Sequence, residues 1–259
     1  MDVYRAILDP PLPGLLRYSA HAALSLLYPP HCMACGTPLD AHGNGAICEV
    51  CAGKIKWIGA DHCLRCGDKV GQGRGAVEGC PSCAAHPPVF VEAACAVAEY
   101  EEPLRALLLG LKFGGGLQAV PLLARLLAQR VHDTRLHEYS GPVALAPVPM
   151  HPSDFRGRGF NQAEEAARMA AQALGVVLEL KLLRKLRRTA PQATLSAEAR
   201  RENLKDAFAA DVKRSRRYTK GVVLLVDDVM TTGSTAGECA KALNMAGVGE
   251  VRGAFLARG

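Results

Sequence analysis

The stretch that most constrains the fold lies near the carboxyl end, at residues 222–235. Five consecutive apolar residues, Val222 to Val226, indicate a short strand buried on both faces of a sheet. Asp227 and Asp228 follow, then small hydroxyl residues and a glycine. Ala236 to Ala246 has helical composition and stops before Gly247, a residue type that often ends helices. The order strand, acidic loop, helix predicts an α/β fold with a parallel sheet flanked by helices.

The same loop predicts a type of ligand. Ligands bind beyond the carboxyl ends of the strands in open parallel sheets, and loop N–H groups at a helix N-terminus bind anions. Two carboxylates beside such an anion site suit a ligand that carries both hydroxyls and a phosphate, such as a ribose 5-phosphate. The alternative is an acidic turn followed by an ordinary capped helix.

The loop also resembles the phosphoribosyl pyrophosphate (PRPP) signature of type I phosphoribosyltransferases. The resemblance implies that Asp227 and Asp228 hold the ribose hydroxyls, directly or through Mg²⁺. It implies that the 5-phosphate is held by the segment that follows, which consists of Thr231, Thr232, Gly233, Ser234 and Thr235.

Eight of the ten cysteines form four Cys-x-x-Cys pairs in the amino-terminal part of the chain. The pairs are Cys32/Cys35, Cys48/Cys51, Cys63/Cys66 and Cys80/Cys83. One such turn presents two thiolates on one side, and two turns complete a tetrahedral zinc site. The spacing therefore predicts two structural Zn²⁺ sites in a small zinc-ribbon domain. Sequential pairing of neighbouring turns is the simplest arrangement, and a cross-braced pairing is also compatible with the spacing.

Other chemistry for these cysteines is less consistent with the pattern. A cytosolic chain argues against disulfides, and a redox Cys-x-x-Cys usually occurs once, beside a βαβ unit. Four cysteines can also hold an iron–sulfur cluster, although this spacing is less typical of one. A site with four cysteine ligands has no open position, so no zinc chemistry is expected. The unpaired Cys95 and Cys239 are predicted to be buried small hydrophobes.

A second strand, loop and helix precede the first. Gly141 to Val148 is predicted to be a buried strand, followed by a loop at 151–162 and a helix from Ala163 to Leu174. Arginine suits a bidentate grip on pyrophosphate oxygens, so Arg158 is the candidate that neutralises a leaving pyrophosphate. Asn161 and Gln162 are candidate ligand contacts. The alternative is a solvated basic loop.

The remaining elements are predicted from periodicity. We expect strands at 93–100, 176–183, 208–212 and 249–257, and helices at 15–28, 101–112, 121–131 and 196–203. A flexible glycine turn at 112–116 begins with Lys112, which is either an anion contact or a solvated residue at a helix end. The polar insertion at 184–203 is either a lid over the site or disordered.

Taken in order, the motifs resemble those of the ComF family, which includes ComFC and GntX-type proteins. The matching features are Pro147-Val148-Pro149, residues 158–162, Gln192 with Arg201 and Asn203, residues 227–235, and the paired cysteine turns. The resemblance implies a type I phosphoribosyltransferase-like domain, PRPP with Mg²⁺ as ligand, and a role in DNA uptake in competent bacteria. One departure is the segment 151–155, where family members usually carry basic residues.

The organisation expected from these features has three parts. They are an N-terminal helical segment at 1–30, a double zinc ribbon at 31–88 and a phosphoribosyltransferase-like domain at 89–259. The formal charge of +6 favours anionic ligands without predicting nucleic acid. No apolar run reaches the roughly 18 residues that span a bilayer, and the N-terminus lacks a signal-peptide layout. We therefore expect a cytoplasmic protein.

Two hypotheses for function remain. In the first, the chain is an enzyme in which a nucleophile displaces pyrophosphate at C1 of PRPP. In the second, the site only senses PRPP or a nucleotide, or is vestigial, while basic segments at 184–188 and 213–217 bind single-stranded DNA or a partner of the uptake machinery. The low aromatic content, 5%, weakens the second because bases usually stack on aromatic side chains.

Overall fold

The structure is a computed structural model that describes residues 30–39, 46–70, 79–113, 116–192 and 195–259. The helix expected at 15–28 and two glycines of the turn expected at 112–116 lie outside the described residues. The strands are β1 (Ala93–Glu99), β2 (Val143–Pro147), β3 (Val177–Leu178), β4 (Leu183–Lys185), β5 (Phe208–Ala210), β6 (Val222–Met230) and β7 (Glu250–Arg258). The α-helices are α1 (Glu49–Ala52), α2 (Pro81–Ala85), α3 (Leu104–Phe113), α4 (Val120–Asp133), α5 (Pro152–Arg158), α6 (Gln162–Leu174), α7 (Ala197–Leu204), α8 (Val212–Ser215) and α9 (Ser234–Met245).

Five strands form one parallel sheet in the order β1-β7-β6-β2-β3. β6 lies at its centre, and its side chains alternate between two hydrophobic cores. Val222, Leu224 and Val226 face one core, whereas Val223 and Leu225 face the other. Burial on both faces explains the continuous apolar run. The predicted α/β architecture, a parallel sheet flanked by helices, is confirmed.

Helices cover both faces of this sheet. On one face lie α3, α4 and α6, and the four leucines predicted to share one side of α3 are all buried there. Small alanines on α6 allow α4 and the sheet to approach closely. On the other face lies α9 together with the antiparallel β4–β5 pair. In the part of the chain that the structure describes, no helix is both long enough and apolar enough to cross a membrane.

The two cysteine-rich segments pack against opposite faces of the sheet, near the edge strand β1. Cys32, Ile47 and Ile55 belong to the core that contains α3 and α4. Cys66 and Val70 belong to the core that contains α9. Backbone hydrogen bonds also join these segments to β1, from Ile58 N to Val97 O at 3.1 Å and from Ala94 N to Leu64 O at 2.8 Å.

Three sequence expectations need correction. β6 continues through both aspartates to Met230, because β7 runs beside it and pairs with it to Arg258. The expected loop at 151–162 contains α5. That helix starts at Pro152, receives a cap from the His151 side chain and ends at Gly159, whose φ is +86°.

The expected strand at 176–183 is the third correction, since it is two separate strands. Val177 and Leu178 pair with β2, and the chain then leaves the sheet at Glu179. Glu179 is buried, and it accepts hydrogen bonds from Arg214, Arg217 and Tyr218. Burying this carboxylate among its donors breaks the strand, so β4 pairs with β5 instead.

Candidate functional site

A large cleft opens at the carboxyl ends of β2 and β6, with a volume of about 1410 Å³. This is the edge where ligands bind in open parallel sheets. Its described lining comes from the ends of α3 and β6, from α5 and the start of α6, and from the segment 185–200. Five cations and three carboxylates are part of that described lining, namely Lys112, Arg158, Lys185, Arg188 and Arg200, and Asp154, Asp227 and Asp228.

Asp227 and Asp228, here called the acidic pair, lie at the end of β6 inside this cleft. Each carboxylate accepts the backbone N–H of the following residue at 2.9 Å. The Lys112 Nζ lies 2.5 Å from Asp228 Oδ2, and Gln162 Nε2 donates to the same oxygen at 3.4 Å. Lys112 is therefore not simply solvated at the helix end, because it pairs with a carboxylate of the protein itself, and its contact with an anionic ligand stays a prediction.

The two carboxylates of the acidic pair are in different electrostatic environments. Burial, followed by the neighbouring Asp228 charge, raises the pKa of Asp227 well above its usual range. Burial also acts to raise the pKa of Asp228. The charge and hydrogen bond of Lys112, with hydrogen bonds from Asp227 and Gln162, outweigh burial and lower the pKa of Asp228. Asp228 is therefore the carboxylate held ionised, and Asp227 is the one that readily takes a proton.

The hydroxyl loop, Thr231–Thr235, links the acidic pair to α9. Its turn depends on Gly233, which has a φ of +75° and occupies the N-cap position of α9 without a capping side chain. The first N–H groups of α9 therefore face the cleft, where a helix N-terminus attracts anions. Thr232 Oγ1 and Ser234 Oγ are hydrogen-bonded to each other at 2.8 Å. The loop thus offers hydroxyls and backbone N–H groups to one anionic ligand.

A further part of the cleft lining, here called the basic wall, is formed by Arg158 at the end of α5 and by Gln162 at the start of α6. Arg158 Nη1 donates to Gln162 Oε1 at 2.8 Å, and the Arg158 guanidinium lies 6.0 Å from the centre of the Phe113 ring. Gln162 in turn reaches Asp228, so one chain of contacts joins Arg158 to the acidic pair. Asn161 is oriented differently. Its side chain caps α6 and donates to Val148 O at 3.1 Å, so it holds the loop in place.

The lid segment, defined as residues 184–203 and described by the structure at 184–192 and 195–203, contacts the hydroxyl loop. Gln192 Nε2 donates to Thr235 Oγ1 at 3.1 Å, and Arg200 Nη1 donates to Thr231 Oγ1 at 3.0 Å. Arg200 also binds Gln192 O at 2.9 Å, which joins the two contacts. Ser196 caps α7 as predicted. These contacts join the segment to the hydroxyl loop, and its closure over a ligand stays a prediction.

The eight paired cysteines form two tetrads, each within 4.8 Å: Cys32, Cys35, Cys48 and Cys51; and Cys63, Cys66, Cys80 and Cys83. Neighbouring turns therefore pair sequentially, which excludes the cross-braced alternative. Closest Sγ–Sγ separations of 3.6–3.7 Å match the edge of a tetrahedron with Zn–S bonds of about 2.3 Å. Both tetrads fit structural zinc sites. Cys95 and Cys239 are fully buried, as predicted.

The structure brings the candidate residues of the acidic pair, the hydroxyl loop, Arg158 and Gln162 into one cleft. Lys185 and Arg188, which the sequence placed both in the possible lid and in a possible DNA-binding cluster, also line the cleft. Arg258 was not singled out, although it donates to the carbonyls of Met230 and Thr231. The sequence did contain a signal for Arg258, since it ends an apolar strand and a buried charge there needs hydrogen-bond acceptors.

Comparison with known proteins agrees with this architecture. Residues 23–84 match the model of the double zinc ribbon domain. Competence protein F of Haemophilus influenzae is 33% identical over 228 residues, covering 88% of this chain and 96% of the relative. DNA utilization protein YhgH of Salmonella typhi is 33% identical over 230 residues with the same coverage, and YhgH of Escherichia coli K12 is 32% identical over 228. The match to the crystal structure of TT1426 from Thermus thermophilus covers 53% of this chain and 83% of the TT1426 chain, with 18% sequence identity. Its TM-score of 0.28 is too low to support an argument about the fold.

The fold and the cysteine tetrads define a zinc-ribbon protein with an α/β domain. By its similarity over nearly the whole length of these relatives, the chain belongs to the ComF family of competence protein F and YhgH.

Proposed function

We propose that the cleft binds PRPP together with Mg²⁺. The observation that carries the proposal is that the acidic pair, the hydroxyl loop and Arg158 line one cleft, in which Arg158 is joined to Asp228 through Gln162. PRPP has a 5-phosphate, two vicinal hydroxyls and a pyrophosphate. One ligand therefore has a group for each of the three parts of the cleft.

Each part has a defined role in this proposal. The hydroxyl loop and the N-terminus of α9 bind the 5-phosphate. The acidic pair holds the ribose hydroxyls and supplies carboxylate oxygens, the ligand type that Mg²⁺ prefers. Arg158 and Lys185 face the pyrophosphate, whose charge they balance. When bound, Mg²⁺ would neutralise part of the pyrophosphate charge.

In the enzymatic form of the proposal, an acceptor nucleophile forms a bond to C1 as the bond from C1 to pyrophosphate breaks. The leaving pyrophosphate carries away the electron pair and is stabilised by Arg158. The lid segment excludes water so that the acceptor rather than water reacts. A binding-only protein would use the same contacts without releasing pyrophosphate, so turnover distinguishes the two forms.

We further propose a contribution to DNA uptake or utilization, as the names of the relatives indicate for them. Of the two basic segments suggested for single-stranded DNA, one contributes to the cleft and the other partly neutralises Glu179. These contacts favour the PRPP site over a separate DNA groove. The predicted domain limits, 31–88 and 89–259, remain part of the proposal. A cytoplasmic location is part of the proposal, because eight of the cysteines are grouped in tetrads that fit zinc and thiols stay reduced there.

Calorimetric titration of the full chain with PRPP in Mg²⁺ tests this proposal. The wild type should bind one PRPP, and Asp227→Asn or Asp228→Asn should weaken binding at least tenfold. Asp206→Asn is a matched control, because Asp206 is exposed and pairs with Lys241 away from the cleft. Failure of the wild type to bind PRPP would refute the proposal. Pyrophosphate release during a screen of nitrogen and hydroxyl acceptors would identify transfer.

A further inference from the structure

Arg258, at the end of β7, lies directly beneath the hydroxyl loop. It is 6% exposed, although its guanidinium is charged. Its Nη1 donates to Met230 O at 3.0 Å and to Thr231 O at 2.6 Å, and it also contacts Gly259 O. Arg258 thus holds the backbone at the point where β6 becomes the hydroxyl loop. Thr231 is fixed from the other side by Arg200 of the lid segment.

The other branch of Arg258 reaches the second zinc ribbon, defined here by the tetrad Cys63, Cys66, Cys80 and Cys83. Arg258 Nη2 lies 3.7 Å from Asp68 Oδ2, two residues beyond Cys66. The same carboxylate accepts hydrogen bonds from Ser82 Oγ and from Lys69 N. Ser82 lies between the third and fourth cysteines of this tetrad, so Asp68 bridges both turns of the ribbon and the arginine.

The backbone of this ribbon is also fixed against the sheet. Gly67 has a φ of +72°, and a Cβ added there would lie 3.0 Å from the backbone carbon of Cys95 on β1. Cys63 N donates to Asp68 O at 2.7 Å, which closes the turn around the metal ligands. The position of Asp68 is therefore set by the same turn that presents the thiolates. Arg258 therefore pairs with a carboxylate, that of Asp68, whose position depends on the folded ribbon.

We propose that Arg258 is a positioning residue that ties the hydroxyl loop to the second zinc ribbon, so that the folded ribbon orders the loop for its phosphate ligand. This inference rests on the proposed function for the identity of the ligand. What it predicts for the protein without ligand is how well the hydroxyl loop is ordered. The ribbon therefore contributes to the cleft although none of its described residues lines it.

Hydrogen–deuterium exchange of the zinc-loaded full chain, followed on peptides covering residues 230–236, tests the link. Arg258→Met and Asp68→Asn should each speed exchange of this loop about tenfold, a change of about 1.4 kcal/mol in local opening. Zinc content should stay at two ions per chain. Arg258→Lys should restore part of the protection, because an ammonium can still donate to the two carbonyls. A merely structural role would give no such rescue.

Arg252→Met is the matched control. Arg252 is another β7 arginine, and it donates to the carbonyls of Leu136 and Glu138, outside the cleft. It should leave the loop peptide unchanged. Wild-type exchange of the loop in both Arg258→Met and Asp68→Asn would overturn the inference, and if the first variant does not fold, the second decides alone. The exchange readout needs no ligand, so a wild type that fails to bind PRPP contradicts the proposed function separately.

Discussion

The ion pair between Lys112 and Asp228 gives a quantitative prediction. Its atoms lie 2.5 Å apart, and the side chains are 25% and 9% exposed. Lys112→Met would leave an ionised Asp228 buried beside Asp227. Removing one partner of a buried ion pair lowers the free energy of unfolding by about 3–5 kcal/mol. Because Lys112 is partly exposed, we expect a loss of about 3 kcal/mol for this variant.

Removing the other partner of the ion pair, Asp228, should lower the free energy of unfolding by less. In Asp228→Asn the long Lys112 side chain can turn toward solvent, so we expect a loss of about 1 kcal/mol. The double variant removes both charges and should lie within about 1 kcal/mol of the wild type. The coupling energy in the double-mutant cycle, which is the sum of the two single losses minus the loss of the double variant, is therefore expected to be about 3–5 kcal/mol.

Urea unfolding followed by the fluorescence of Trp57, the single tryptophan, measures these differences. The pKa of Asp228 is lowered in the folded chain, so its pairing with Lys112 stabilises the protein above the usual aspartate pKa and is lost as pH falls through the lowered value. The gap between wild type and Lys112→Met should therefore shrink on acidification. A Lys112→Met variant within about 0.5 kcal/mol of the wild type at pH 7 would refute the reasoning.

Three further predictions follow from the site and the ribbon. Because the pKa of Asp227 is raised, PRPP affinity in Mg²⁺ should increase as pH rises and Asp227 loses its proton, and calorimetry of Asp227→Asn should show weak binding with a smaller pH dependence, which comes from the phosphates of PRPP. Arg200→Ala releases the lid segment from the hydroxyl loop and should speed PRPP dissociation about fivefold in stopped-flow measurements, and unchanged dissociation would argue against a lid. Gly67→Ala should lower the zinc content below two ions per chain. Gly36→Ala should retain more metal, because its φ is similar but a Cβ added there meets no atom within 4 Å. Equal metal retention in the two variants would contradict the packing argument.

Much of the fold could be predicted from the sequence because its signals are local. The continuous apolar run of β6 requires burial on both faces, and the leucine spacing of α3 requires one buried side. The cysteine spacing predicted both tetrads, since each turn fixes two thiolates. These features depend on neighbours a few residues away in the chain.

The errors arose where distant partners decide the structure. The strand expected at 176–183 breaks because Glu179 meets arginines more than 30 residues away. Lys185 lies in a basic run that was also suggested to bind single-stranded DNA, and the chain folds it into the cleft. The role of Arg258 depends on carbonyls 27 and 28 residues away and on a carboxylate of the ribbon. A local pattern can mark such an arginine, but it does not name the distant partners.

The most direct test of the central claim compares PRPP with its two halves in one set of calorimetric titrations at fixed Mg²⁺. If one cleft grips both ends of the ligand, PRPP should bind at least tenfold more tightly than either ribose 5-phosphate or pyrophosphate. Each half should also compete with PRPP for a single site. Binding of PRPP no tighter than that of ribose 5-phosphate, or a lack of competition from either half, would contradict the account.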